Sequence, residues 1–306
     1  MENAIVILKQ IILMFFYMAI GFLMFRTKLI SKEGSKALAN LLLYVSLPCV
    51  IIKSFSAQSS GGTLEGLLYS LLAALILLLL AMGIGALLFR RDPLANFSAA
   101  FSNAGFMGVP LITAALGASA VFYTAGMVAL LNIFQWTYGQ NLIKGGKQGM
   151  PWVKTICNPL TVSFLIGLVL FVTDVSLPSM AESGLSTLAN LNGPLAMIVL
   201  GVYFAQTQMG QMFRAVRNYE VCIVRLVLIP VLSIGLLCLV PKQFLVMKQA
   251  LLIAACAPVG ANVAVYAQKL DKDYTYAVQL VCLSTLFSVI TMPVIIGIAS
   301  YVWRII

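Results

Sequence analysis

The sequence predicts an all-α polytopic membrane protein: ten transmembrane helices in two inverted five-helix repeats, with crossed, broken helices 4 and 9. Composition, two interrupted apolar segments and a lopsided distribution of basic residues lead to it. Hydrophobic residues make up 61% of the 306 and charged residues 9%, with a mean hydropathy of +1.03. Soluble domains carry about 25% charged residues, so the expected surroundings are a lipid bilayer. The length accommodates roughly ten spans of about 20 residues joined by short loops.

Windows of about 19 residues place the spans near 4–25, 37–55, 66–89, 94–116, 119–141, 156–173, 185–206, 219–240, 245–267 and 274–301. The first apolar run, Ala4 to Phe25, is too long for the core of a signal peptide and reads as a span. Breakers mark the joints at Gly61-Gly62, Asp92-Pro93, Gly145-Gly146 and Leu177-Pro178, and Gly117-Ala118-Ser119 forms a tight turn between spans four and five. Residues 1–143 are the first five-helix repeat, 144–155 a polar cytoplasmic connection, and 156–306 the second, inverted repeat.

The net charge of +10 does not form the basic face that nucleic acid requires, and no nucleic-acid partner is expected. Its placement fits topology instead. Loops after odd-numbered spans carry Arg26, Lys28, Lys32, Lys36, Arg90, Arg91, Lys144, Lys147, Lys154, Arg214, Arg217, Lys269 and Lys272, against Lys53, Lys242, Lys248 and Arg304 on the other side. The positive-inside rule then places both termini outside and the connection between halves in the cytoplasm. Five spans per half make the second half inverted. Two landmark pairs support a repeat: Pro48 and Pro194 lie 146 positions apart, Pro110 and Pro258 148.

The interrupted segments are Ser102-Asn103-Ala104-Gly105-Phe106-Met107-Gly108-Val109-Pro110 and Ala257-Pro258-Val259-Gly260-Ala261-Asn262. Gly and Pro break helices, and freed backbone groups survive in a membrane only against protein or a watery cavity. Matched breaks in two halves point to the midplane binding site of a secondary transporter. Pro110 is expected to begin a second half-helix, and Asn262 to cap the one after Pro258 and Gly260. Half-helix starts present N–H groups and a positive dipole end to a small organic anion, a carboxylate above all. The substrate-binding set is Asn103, Gly108, Pro110, Pro258, Gly260 and Asn262. Ser102, Thr113, Asn132, Gln135, Gln268, Ser284 and Ser288 are candidates for lining the cavity. The plainer alternative is a pair of kinks closed by neighbouring helices.

Several chemistries are excluded by composition. The chain has no histidine, which removes histidine-based zinc sites, triads and proton relays. All nine acidic residues fall in loops or near span ends, so no enzymatic carboxylate pair and no midplane titrating carboxylate is expected. Neither a metal nor a cofactor is implied. The six cysteines lie in apolar segments without CxxC spacing and read as packing residues. Arg225, about a turn and a half inside the eighth span, either snorkels to the cytoplasmic interface or adds positive charge near an anion path.

Asn103-Ala104-Gly105-Phe106-Met107-Gly108-Val109-Pro110-Leu111, Ala257–Asn262 and Ser284-Thr285-Leu286-Phe287-Ser288-Val289-Ile290-Thr291-Met292-Pro293 together resemble the auxin efflux carrier family, over the whole chain. The resemblance is to its bacterial members, within the wider bile acid and auxin carrier-like superfamily. It implies a scaffold of spans 1, 2, 6 and 7, a moving unit of spans 3–5 and 8–10, and a homodimer joined through the scaffold in the plasma or inner membrane. Asn103 matches the asparagine before the first crossing proline. Asn262 departs from the plant carriers' pattern, and the long cytoplasmic loop of many plant members is absent.

The leading functional reading is a carrier of a small organic anion working by elevator-like alternating access. A sodium-coupled organic-anion symporter resembling the bile-acid family is the alternative, with a sodium ion as its second partner. A non-transporting membrane receptor is the third.

Overall fold

The computed structural model describes residues 2–56, 63–146 and 158–305, and within these every regular element is helical. Most of the connection 144–155, the Gly61-Gly62 joint and Cys157 lie outside the described residues. In chain order the helices are α1 (Glu2–Arg26), α2 (Lys32–Ser56), α3 (Leu64–Leu88), α4 (Pro93–Ala100), α5 (Ala104–Leu116), α6 (Ala118–Lys144), α7 (Pro159–Thr173), α8 (Ser179–Gln206), α9 (Met209–Arg214), α10 (Val216–Leu237), α11 (Leu245–Cys256), α12 (Asn262–Lys269) and α13 (Tyr274–Ile305). Seven of them, α1, α2, α3, α6, α8, α10 and α13, are long and apolar enough to cross a membrane; α5 and α7 are shorter apolar helices.

The starts follow local chemistry. Ser31, Thr63, Asp92 and Asn158 each accept a bond from a first-turn N–H, and Pro93 and Pro159 occupy first-turn positions where no N–H is missed. Gly117 takes a φ of +91° at the joint between α5 and α6, the tight turn expected there.

Four helices contain a π-helical turn: Leu42–Ser46, Ala104–Gly108, Gln135–Gly139 and Val224–Leu228. The first, second and fourth are followed closely by Pro48, Pro110 and Pro230. A proline ring inside an α-helix clashes with the carbonyl four residues back and removes a bond. Widening the preceding turn relieves that conflict without ending the helix. Pro110 therefore does not begin a half-helix. It sits inside α5, and the break lies earlier, at Phe101–Asn103, where the backbone leaves the helix. Pro258 by contrast lies within the second break itself, so these two prolines are not equivalent positions. Pro48 and Pro194 do occupy comparable ones, each just past a mid-helix irregularity in α2 and α8.

α1 and α8 are held backbone to backbone. A Cβ on Gly21 would overlap the Ile198 carbonyl, and one on Gly201 would overlap the Met18 carbonyl and lie 2.9 Å from Phe22 N. Such contact between small residues is how apolar helices associate in lipid. Ser46 Oγ donates to Leu188 O (2.8 Å), tying α2 to α8. The outward side chains Ile12, Phe16 and Leu23 of α1, and Leu72, Ile76 and Leu79 of α3, are exposed, as a lipid-facing surface demands.

Candidate functional site

Near the centre of the molecule the two breaks cross. Ser102 and Val259 form an isolated antiparallel β-bridge. Asn103 N donates to Pro258 O (2.8 Å) and Gly260 N to Phe101 O (2.9 Å). Val259 N donates to Ser284 Oγ (3.1 Å), which in turn donates to Val281 O. Each break thus satisfies the other, which a bilayer interior requires of non-helical backbone. A Cβ on Gly260 would be crowded by backbone, 3.1 Å from Ser102 O and 3.2 Å from Phe101 O, so the bridge would have to give by a few tenths of an ångström to admit one.

Beside the bridge is a cavity of about 30 Å³ bounded by Ser102, Asn103, Asn132, Gln135, Gly260 and Asn262 among others. It has room for a water or two or the head of a carboxylate. Ser102 Oγ and Asn103 Nδ2 are buried without a hydrogen-bond partner. Buried polar atoms are nearly always paired, and the adjoining cavity leaves space for an acceptor of the Asn103 amide. The helix starts of α5 and α12 flank it; on α12 Val263 N and Ala264 N already donate to Gly260 O and Ala261 O, and on α5 Met107 N and Gly108 N donate to Asn103 O.

Asn262 is placed differently from its expected capping role. Ala261 holds the N-cap position of α12 without a side-chain bond, and Asn262 Nδ2 donates to Gln135 Oε1 (2.7 Å). The π turn at Gln135–Gly139 presents Gln135 there. Asn132, one turn earlier, donates to Val128 O (2.9 Å) and walls both the small cavity and a larger one.

The larger cavity, about 400 Å³, meets the small one at Leu43, Asn132 and Asn262. Its walls include Lys32, Lys36 and Lys269, the aromatic residues Tyr44, Trp136, Tyr203, Tyr266 and Tyr274, and exposed Gln268, with no carboxylate among them. Lys32 Nζ lies 4.5 Å from the centre of the Tyr274 ring and Lys269 Nζ 5.6 Å from that of Trp136. These lysines and aromatics escaped sequence reasoning as site residues. The lysines signalled only topology, and no spacing links the aromatics across five helices.

The remaining candidates fall elsewhere. Pro110 and Thr113 border a third cavity of about 260 Å³ at the far end of α2, together with Gln10, Lys53, Asn190 and Pro194. Thr113 Oγ1 donates within its own helix to Val109 O. Gly108 packs against Ala254 of α11. Pro258 takes part through its carbonyl alone, and Ser288 donates to Thr285 O beside Met107 Sδ. Arg225 does not snorkel: it is 1% exposed and lies against the crossing. The described cysteines are free and, Cys238 apart, buried. Among the described residues no three His, Cys, Asp or Glu side chains gather as a metal site would need.

The chain matches the family described as membrane transport protein over residues 6–151 and 147–296. It belongs to that family, the family of the auxin efflux carriers. No curated protein compared with it matches significantly. Family membership and the apolar helices make this member of the transport family a multi-pass membrane protein.

Proposed function

We propose that this transporter carries a small organic anion, a carboxylate, and binds its charged end at the crossing. The supporting observation is the unpaired Asn103 amide, buried between two helix starts where a lysine-flanked, carboxylate-free cavity ends. Two helix N-termini together present roughly one unit of positive charge, and the amide adds donors without burying another ion. A neutral site of this kind releases its cargo more readily than a buried lysine would.

In this reading α4 with α5, and α11 with α12, are the broken fourth and ninth of ten spans in two inverted repeats. The halves are 1–143 and 156–306, joined by the cytoplasmic connection 144–155, with both termini outside. The α1–α2–α7–α8 group is the static scaffold and dimer interface. The rest moves as an elevator between the cavity at the lysine end and the smaller one around Pro110 and Lys53. The decisive experiment is counterflow of radiolabelled malonate and malate, with monocarboxylates alongside, in proteoliposomes with and without a sodium gradient. Exchange that ignores sodium supports the carrier reading. Exchange that requires sodium favours the symporter, and no exchange of any carboxylate refutes the anion reading.

Two further outcomes are expected. Gly146→Cys, at the end of α6, should resist a membrane-impermeant maleimide in intact cells and react after permeabilisation, as the basic asymmetry requires. Labelling from outside would reverse the orientation and overturn the placement of both termini.

Neutralising each of the nine acidic residues in turn should leave exchange measurable, because none sits at the crossing. Asp92 is the most demanding of them. It caps α4 and accepts bonds from Arg217 Nε (3.3 Å) and Tyr276 Oη (3.0 Å). Asp92→Asn keeps the cap oxygen and gives up the part-exposed ion pair with Arg217, worth about 1 kcal/mol or less, while the contact with Tyr276 Oη must reverse, the new amide donating to the hydroxyl. Abolished exchange in a folded acid variant would make that carboxylate a coupling group.

A further inference from the structure

The other side of the crossing has the opposite polarity. α4 ends at Ala100 and α11 at Cys256, so two helix C-termini, with carbonyls lacking intrahelical donors, meet inside the apolar interior. Arg225 lies between them. Its Nη1 donates to Ala99 O (3.1 Å), its Nε to Ala257 O (3.2 Å) and its Nη2 to Ala255 O. One guanidinium therefore serves carbonyls from both broken segments. Among the described residues the ion pairs are those of Arg217 with Asp92 and Glu220, so the charge of Arg225 is balanced by something other than a carboxylate. Two helix C-termini at about half a negative charge each supply that balance. The π turn at Val224–Leu228 carries Arg225 on α10, an element separate from both breaks.

We infer that Arg225 is the positioning residue of the crossing: a tethered cation that binds the carbonyl ends of α4 and α11 together and so fixes the N–H-bearing face that meets the substrate. A lysine is a poor replacement. Its compact ammonium cannot reproduce a planar fork whose separate nitrogens reach three carbonyls on two segments. A small cation held by the same oxygens would be exchangeable, whereas the side chain is permanent. The geometry of Arg225 stands apart from the substrate's identity; only its consequence for transport rests on the proposed anion site.

Hydrogen–deuterium exchange of the purified full chain tests it, read on peptides covering 97–108 and 254–264. Arg225→Lys is expected to fold and to raise exchange at least tenfold in one or both segments, with α1 and α8 unchanged. Arg225→Ala should do so in both, and methylguanidinium, but neither methylammonium nor sodium, should restore protection. Wild-type protection of both segments in folded Arg225→Lys and Arg225→Ala overturns the inference. So does rescue by methylammonium or sodium as effective as that by methylguanidinium, since any cation would then suffice. In proteoliposomes Arg225→Lys should slow malonate counterflow at least tenfold. If the wild-type chain carries no carboxylate, the anion reading fails while the exchange pattern still decides the role of Arg225.

Discussion

Gly201→Ala and Gly21→Ala are expected to remove most of the folded, monodisperse protein recovered in detergent, although alanine is the better helix former. In each case the new methyl meets backbone of the facing helix, the Met18 carbonyl and Phe22 N for Gly201, the Ile198 carbonyl for Gly21. A flexible side chain can swing aside; a helix backbone yields only by moving the whole pair apart. Overpacking of that kind costs on the order of 3 kcal/mol, against a gain of about 1 kcal/mol from replacing a helical glycine. Gly83→Ala and Gly235→Ala are the controls, because a Cβ at either meets nothing within 4 Å. They should keep or raise the melting temperature. Size-exclusion profiles and thermal melts of the four variants decide the matter. Equal behaviour would mean that α1 and α8 tolerate separation, and a scaffold built on their contact would lose its physical basis.

The all-helical class was legible because apolar runs of span length leave few alternatives, and because breakers sit where helices stop. The existence of the two breaks was legible for the same reason: Gly, Pro and Asn cluster inside otherwise apolar runs. Their register was not. Pro110 looks like a helix start, yet the π turn at Ala104–Gly108 absorbs it and moves the break back to Phe101–Asn103. Helix widening has no local sequence signature beyond a proline two residues on. Arg225 shows a second limit. Its depth in the span is readable, but whether the side chain reaches water or a neighbour depends on which helix packs beside it. The lysines near the larger cavity show a third, since one residue can serve both membrane orientation and ligand attraction. Asn103 and Asn262 stand out alike in the sequence, as the asparagines of the two breaks. Only the structure reveals that one amide is unpaired while Gln135 occupies the other.

That difference makes the two crossing-site substitutions separable. Asn103→Ala should weaken anion binding about ten- to a hundredfold, because it deletes a donor that has no other partner to lose. A hydrogen bond to a charged ligand is worth roughly 1.5–3 kcal/mol, which converts to that range. Asn262→Ala is expected to fall at the lower end, since its Nδ2 already bonds Gln135 Oε1 at 2.7 Å and must exchange that acceptor for the substrate. Thr187→Ala, exposed and bonded only within its own helix to Ser183 O, should leave affinity unchanged. Isothermal titration of the folded variants, with whichever carboxylate the wild-type protein exchanges, reads all three directly. Unchanged affinity in both asparagine variants would reduce these amides to structural parts of the crossing and place the anion elsewhere in the larger cavity. A stronger loss at Asn262 than at Asn103 would invert the assignment, making the Gln135–Asn262 pair the primary contact and the unpaired Asn103 amide a water site.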